Sequence, residues 1–270
     1  MKPFFSVVIP TLNEEFCLPK LLTDLSKQKE QYFEVIIVDA FSKDNTKKES
    51  KKFQKKFNLK FFQTKHANVS VQRNYGVSKS QGKYIVFLDA DVRLKPSFMK
   101  KLFKFIKKQK GLIFLPYLSP EKGDKEYKPL LDIFNLLIEF SQNINLKKKF
   151  SLGGSMVFEK NFFNMIGGFD TKLFMSEDHE LIQKAFRWGV LPKFMRSNTI
   201  TLSLRRWKKE GNLKIIYKYF IVTAHRLFGG DVKNKIIEYK MGGEEYKKII
   251  KLKTKKNPPI FSWLDLNHKQ

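Results

Sequence analysis

The chain has 270 residues, of which 42% are hydrophobic and 27 are phenylalanine, and its formal net charge is +27. Apolar content at that level excludes a disordered chain and suffices for one large α/β domain with appendages, while a single cysteine, Cys17, excludes an internal disulfide. Lysine supplies 46 of the 53 basic residues, and the excess runs +9 over 1–100, +7 over 101–200 and +11 over 201–270, which is a general bias and not one nucleic-acid arm.

A surface of this sign attracts anionic lipid, phosphorylated ligands and nucleic acid. The first apolar run, 4–9, meets Pro10, Glu14 and Glu15 too soon for a signal peptide. No window approaches 18 uncharged apolar residues, so the expectation is a cytoplasmic protein. The mixed apolar and basic stretch 213–228 would make it peripheral on an anionic membrane surface, or would pack on the domain instead.

In chain order, 4–9 predicts a strand, 10–15 a polar loop, and Leu18, Leu21, Leu22 and Leu25 a helix with Pro19 in its first turn. A second unit follows: strand 35–38 ending in Asp39, then Asp44 as the cap of a Lys-rich helix that turns Phe53 and Phe57 inward. Residues 59–62 predict a strand, 69–79 a helix, 84–88 a strand and 97–108 the helix behind it. This alternation implies a mainly parallel sheet. Right-handed crossovers then gather the polar strand ends on one rim: residues 11–14, Asp39, and Asp89 with Asp91.

The sharpest signal is 83–91, an apolar run that stops at two carboxylates spaced i and i+2. Such a pair at a strand end suits a hard divalent cation that grips substrate phosphates; equally, Asp89 and Asp91 open a turn and cap the helix that begins near Ser97. Further along, 113–115 is apolar, 119–129 a charged loop, and 130–140 an apolar helix whose surroundings the pattern does not define. Gly153 and Gly154 make a turn before a strand over 155–158, 160–166 is a short helix, 167–170 a turn, and Glu177-Asp178-His179-Glu180 opens a helix ending near Gly189. Asp178 reads equally as a capping acid, and His179, without a partner at metal spacing, as a packing residue. The sequon at Asn68 reads as chance in a cytosolic chain.

Taken together, SVVIPTLNEE (6–15), VIIVDAFSKDNT (35–46), QRN (72–74), GKYIVFLDADVRL (82–94), GGSMVFEKNFFNMIGGFD (153–170) and SEDHEL (176–181) resemble family 2 glycosyltransferases with the GT-A fold, over roughly 3–207. The resemblance implies an inverting transferase that uses a nucleoside-diphosphate sugar and magnesium or manganese. Asp91 then matches the metal ligand, Asp89 the acid near the ribose with Ala90 between them in the donor loop, and Asp39 the acid that reads the nucleobase. Pro10, Thr11, Asn13 and Glu14 match the wall beside Asp39, Arg73 a basic residue near the nucleotide, and Asp178 the catalytic base.

Two departures stand out. Ala40-Phe41 follows Asp39 where small or acidic residues are usual, and Ser203-Leu204-Arg205-Arg206-Trp207 replaces the glutamine motif of processive members, which argues for transfer of a single sugar. Arg205 and Arg206 read either as clamps on the diphosphate or as surface charge. The resulting expectation is a GT-A domain over 1–207, with a nucleotide-binding half (1–116) and an acceptor half (117–207), and a helical, basic extension over 208–270. It would act on a hydroxyl, phosphate or lipid-linked acceptor, with no specific nucleic acid. The rivals are a nucleotidyltransferase acting on sugar phosphates and a basic nucleic-acid-binding protein.

Overall fold

The computed structural model describes residues 2–29, 32–144, 148–173 and 175–204. The apolar runs become strands buried on both faces: Phe5, Val7 and Ile9 pack into one core and Val8 into the other, and Val35/Ile37 alternate with Ile36/Val38 in the same way. The elements in order are β1 (Phe5–Thr11), α1 (Leu18–Ser26), β2 (Phe33–Asp39), α2 (Thr46–Lys51), β3 (Leu59–Gln63), α3 (Val69–Ser78), β4 (Tyr84–Phe87) and α4 (Phe98–Gln109). There follow β5 (Ile113–Pro120), a 3-10 turn (Lys122–Tyr127), α5 (Lys128–Asn143), β6 (Met156–Glu159), α6 (Lys160–Met165), α7 (Glu177–Arg187) and β7 (Lys193–Leu202).

These strands form one seven-stranded sheet in the order β3-β2-β1-β4-β6-β5-β7. All pairings are parallel except those of β6, which runs against both β4 and β5. One core lies under α1, α4 and Phe53/Phe57; the other takes Val77 of α3, Ile138 of α5, Phe162 and Phe163 of α6, and Leu181 and Ile182 of α7. The expected α/β architecture is therefore present, with strands β1, β2 and β4 delivering their carboxyl ends to a common rim.

Three details differ from the sequence reading. Strand β5 continues to Pro120, into the stretch expected to be loop, because β7 pairs with it from Phe114↔Lys193 to Pro120↔Leu202. Strand β7 itself was not anticipated; its buried positions, Met195, Asn198 and Ile200, do not alternate cleanly with polar ones. Helix α2 has Asn45 as its N-cap, although Asp44 still does capping work from one residue earlier: it accepts the Thr46 N–H at 2.9 Å and the Glu15 N–H at 3.1 Å.

Candidate active site

At the end of β2, Asp39 is buried, with two donors on Oδ1 and one on Oδ2, which leaves Oδ2 one acceptor position. It accepts the Thr11 hydroxyl at 3.0 Å, the Ser42 N–H at 2.9 Å and the Ser42 hydroxyl at 2.5 Å. Asn13 and Phe41 both adopt left-handed backbone, φ 55° and 53°, and turn the loops after β1 and β2 towards each other. The Ser42 hydroxyl then receives the Asn13 N–H at 2.7 Å, Asn13 Oδ1 receives the Lys43 N–H at 2.7 Å, and Glu14 N–H donates to Thr46 at 2.8 Å. Thr11, Asn13, Glu14 and Asp39 are thus one hydrogen-bonded rim, with Pro10 paired to Val38 just below it. Phe41, which the sequence reading treated only as a departure, is exposed here on left-handed backbone.

The tripeptide Gln72-Arg73-Asn74 on α3 ties this rim to the later half of the chain, because successive helical residues point about 100° apart. Gln72 Nε2 donates to the carbonyls of Thr11 and Val38 at 2.9 and 2.7 Å. Asn74 clamps the backbone of Phe169 in both directions, at 2.8 and 3.0 Å. Between them Arg73, 2% exposed, donates from Nη2 to Asp89 at 2.7 Å and from Nη1 to Glu177 at 3.0 Å, with its guanidinium 5.2 Å from the Phe169 ring centre. Arg73 is therefore no helix-surface cation. Burial works against its charge, but Asp89, Glu177 and Asp178 outweigh this and raise its pKa above the ordinary arginine value. The approach is so close that a Cβ on Gly154 would sit 2.1 Å from Nη2, so the glycine before β6 admits the guanidinium.

Asp89 and Asp91 follow β4, both part-buried, with the Asp89 side chain 42% exposed towards the rim opening. Facing them is α7, whose N-cap is Ser176 in left-handed backbone, not Asp178. Glu177, Asp178 and Glu180 occupy its first turn, where free N–H groups and the helix dipole favour negative charge. Even so, burial and then the neighbouring Asp178 raise the Glu177 carboxyl above its usual range, offset in part by Arg73. His179 Nδ1 accepts the Ser151 N–H at 2.8 Å and lies 3.7 Å from the Asp178 carboxylate.

Among the described residues no three acids, histidines or cysteines gather into a group able to hold a metal by themselves. One or two carboxylates at a strand end are still the protein share of the donor set that magnesium-like cations use, since these bind through few carboxylates plus substrate phosphates. Asp91 and Asp89 fit that pattern. Arg205, Arg206 and the stretches 208–270 and 213–228 lie outside the described residues.

A model of the family described as glycosyl transferase family 2 matches residues 6–167. The chain belongs to glycosyl transferase family 2. The matched segment carries Asp39, Arg73, Asp89 and Asp91 and stops short of the acid pair on α7. Among family relatives, an uncharacterised glycosyltransferase of Haemophilus influenzae is 25% identical over 180 residues, covering 66% of this chain and 60% of the relative. One from Methanocaldococcus jannaschii is 27% identical over 248 residues, covering 83% and 80%. The poly(ribitol-phosphate) β-N-acetylglucosaminyltransferase TarS of Staphylococcus aureus is 29% identical over 148 residues, 51% of this chain and 26% of TarS. The chain thus spans well under two thirds of some of these relatives.

Of solved structures, TarS 1–349 in complex with UDP-GlcNAc superposes with a TM-score of 0.60 at 22% identity, covering 74% of this chain and 58% of that one. Mannosyltransferase PcManGT of Pyrobaculum calidifontis, in complex with GDP-Man and Mn2+, gives 0.63 at 15%, covering 94% and 69%. These likenesses establish the fold as the GT-A glycosyltransferase fold. Family 2 membership favours the glycosyltransferase reading over the nucleotidyltransferase and nucleic-acid-binding ones.

Proposed function

We propose that this chain moves a single sugar from a nucleoside-diphosphate sugar to a hydroxyl or phosphate acceptor, with inversion at the sugar's C1. The observation that carries the reading is the Arg73 side chain, which ties Asp89 at 2.7 Å to Glu177 at 3.0 Å and so sets the acids after β4 opposite the acid pair of α7. A displacement with inversion needs its leaving group and its base on opposite faces of the sugar. The rim of Thr11, Asn13, Glu14 and Asp39 takes the nucleoside, Asp39 accepting from the base and exposed Phe41 offering it an apolar face. Asp89 takes the ribose. Asp91 would hold magnesium or manganese, which when bound neutralises charge on the departing diphosphate.

On the other side, Asp178 accepts the proton of the acceptor hydroxyl as its oxygen bonds to C1; the bond from C1 to the diphosphate oxygen breaks, and the electron pair leaves with the diphosphate. Arg73 keeps Glu177 from competing, since its hydrogen bond at 3.0 Å holds that carboxylate away from the acceptor. In this reading the catalytic domain covers 1–207 and the remainder is an extension.

The test is a panel of nucleotide sugars with manganese, following release of nucleoside diphosphate. Asp178→Asn should lose about a hundredfold or more in kcat with donor binding kept, and Asp91→Asn should lose metal-dependent donor binding. Equal activity in all three proteins refutes the assignment, and release of pyrophosphate instead of diphosphate would make the enzyme a nucleotidyltransferase.

A further inference from the structure

Helix α5 is built inside out. The side it turns to the protein carries Asn135, Ser141 and Gln142 along with Leu131 and Ile138, all buried. Asn135 satisfies both backbone groups of Leu118, at 3.0 and 2.8 Å, and Gln142 Nε2 donates to the Phe150 carbonyl at 2.7 Å. Facing solvent instead are Leu130, Ile133, Phe134, Leu136, Leu137 and Phe140, the last two 61% and 60% exposed. At 100° per residue these cover an arc of roughly 160° along about 15 Å of helix. A contiguous apolar face of that extent, opposite a polar packed face, marks an interaction surface.

We propose that this outer face of α5 seats in the headgroup–acyl boundary of an anionic lipid bilayer. The two acids on the helix are each paired, Asp132 with Lys128 and Glu139 with Arg196 at 2.9 Å, so neither carboxylate of α5 stands free against an anionic surface. Lys122 and Lys125 stand exposed at its entry beside Glu121 and Glu126, so the pull towards such a surface comes from the chain as a whole. The chain's net charge of +27 pulls towards such a surface, whereas it sets two copies of this chain against each other. No helix among the described residues is long and apolar enough to cross a membrane, and a helix with one apolar face lies in the interface.

The seat is coupled to the site. Lys149 Nζ donates to the Gln142 and Ile144 carbonyls at the end of α5, at 3.1 and 2.9 Å, and its N–H donates to Gln183 of α7 at 2.7 Å. Combined with the proposed acceptor side at the start of α7, on which this one consequence rests, the acceptor is an amphiphile held in the same leaflet.

Cys17 is buried, so Leu137→Cys introduces the one accessible thiol among the described residues for an environment-sensitive fluorophore. The labelled full chain should blue-shift and co-sediment with phosphatidylglycerol/phosphatidylcholine vesicles and not with phosphatidylcholine alone. Adding Ile133→Asp and Phe140→Asp should cut partitioning roughly tenfold or more with nucleoside-diphosphate release unchanged. The proposal is overturned by no shift on anionic vesicles, by undiminished partitioning of the double aspartate variant, or by a probe already shielded without lipid, which would mean that a second copy or residues 213–228 cover the face. Vesicle seating without sugar transfer would sink the catalytic reading alone.

Discussion

Two glutamates, Glu34 buried and Glu177 part-buried, show how single residues load pH onto this fold with opposite signs. Burial would raise Glu34, but the Lys60 ammonium, the Ser6 hydroxyl and the Gln81 N–H, at 2.8, 2.7 and 2.6 Å, hold it below its usual value. It stabilises the fold above the unfolded value near 4.5 and loses that contribution as pH falls through the lower folded value. Glu177 is raised by burial and by Asp178, so its contribution is complete below the unfolded value and is lost as pH rises through the raised one. Replacing Glu177 by Gln removes that loss. Thermal melts of Glu177→Gln and wild type should therefore show the difference in Tm, variant minus wild type, moving upward from pH 4.5 to pH 7.5, whatever its absolute sign. A flat or falling difference would show that Arg73 keeps Glu177 ionised throughout. At this scale the acids of the rim were legible because carboxylates cannot end apolar strands without a reason. The Arg73 bridge was not, because its partners lie 16 and 104 residues away and no local pattern reports a pairing at that separation.

Among the elements, the joint between α3 and the turn before β6 decides whether the two halves of the site meet. Gly154→Ala would put a methyl 2.1 Å from Arg73 Nη2 and 3.0 Å from Asp89 Oδ2, so the guanidinium must move and its bridge loosens. The expected cost is about 1–3 kcal/mol by denaturant unfolding, with a higher KM for donor. Gly153→Ala serves as the contrast: nothing lies within 4 Å of its Cβ, and at φ +96° it is strained through backbone alone. In an Arg73→Ala background the Gly154→Ala cost should largely vanish while the Gly153→Ala cost persists; if both persist, the clash is not with Arg73. Elements themselves followed from the sequence wherever periodicity was clean, as in β1, β2, β4 and α1. β7 escaped because its inward positions are broken by a register shift between Pro116 and Leu118 of its partner. The environment of α5 escaped because an apolar helix with its polar residues inward has the same composition as a core helix.

For the whole molecule, charge is the property most visible in the sequence and least visible in the fold. The sheet, both cores and the Arg73 bridge would form at any net charge, yet +27 imposes self-repulsion that only the solvent can relieve. Surface pairs such as Lys52–Glu49 and Lys128–Asp132 contribute little against it. Half-buried pairs such as Arg73–Asp89 are screened less than the exposed lysines, because the Debye length of about 10 Å at 0.1 M salt acts on charges in water. Two effects of added salt therefore compete, and repulsion among many exposed lysines should win. Tm is expected to rise between about 0.02 and 0.5 M potassium chloride, by about 2–4 °C for each kcal/mol of repulsion relieved, at fixed pH and without donor or metal. Over the same range, binding to anionic ligands should weaken, so stability and affinity move in opposite directions. A Tm that falls with salt would mean that attraction within ion pairs, and not repulsion among lysines, dominates the net electrostatic balance, and the basic surface would then have to be arranged in networks with acids instead of standing free to meet an anionic partner.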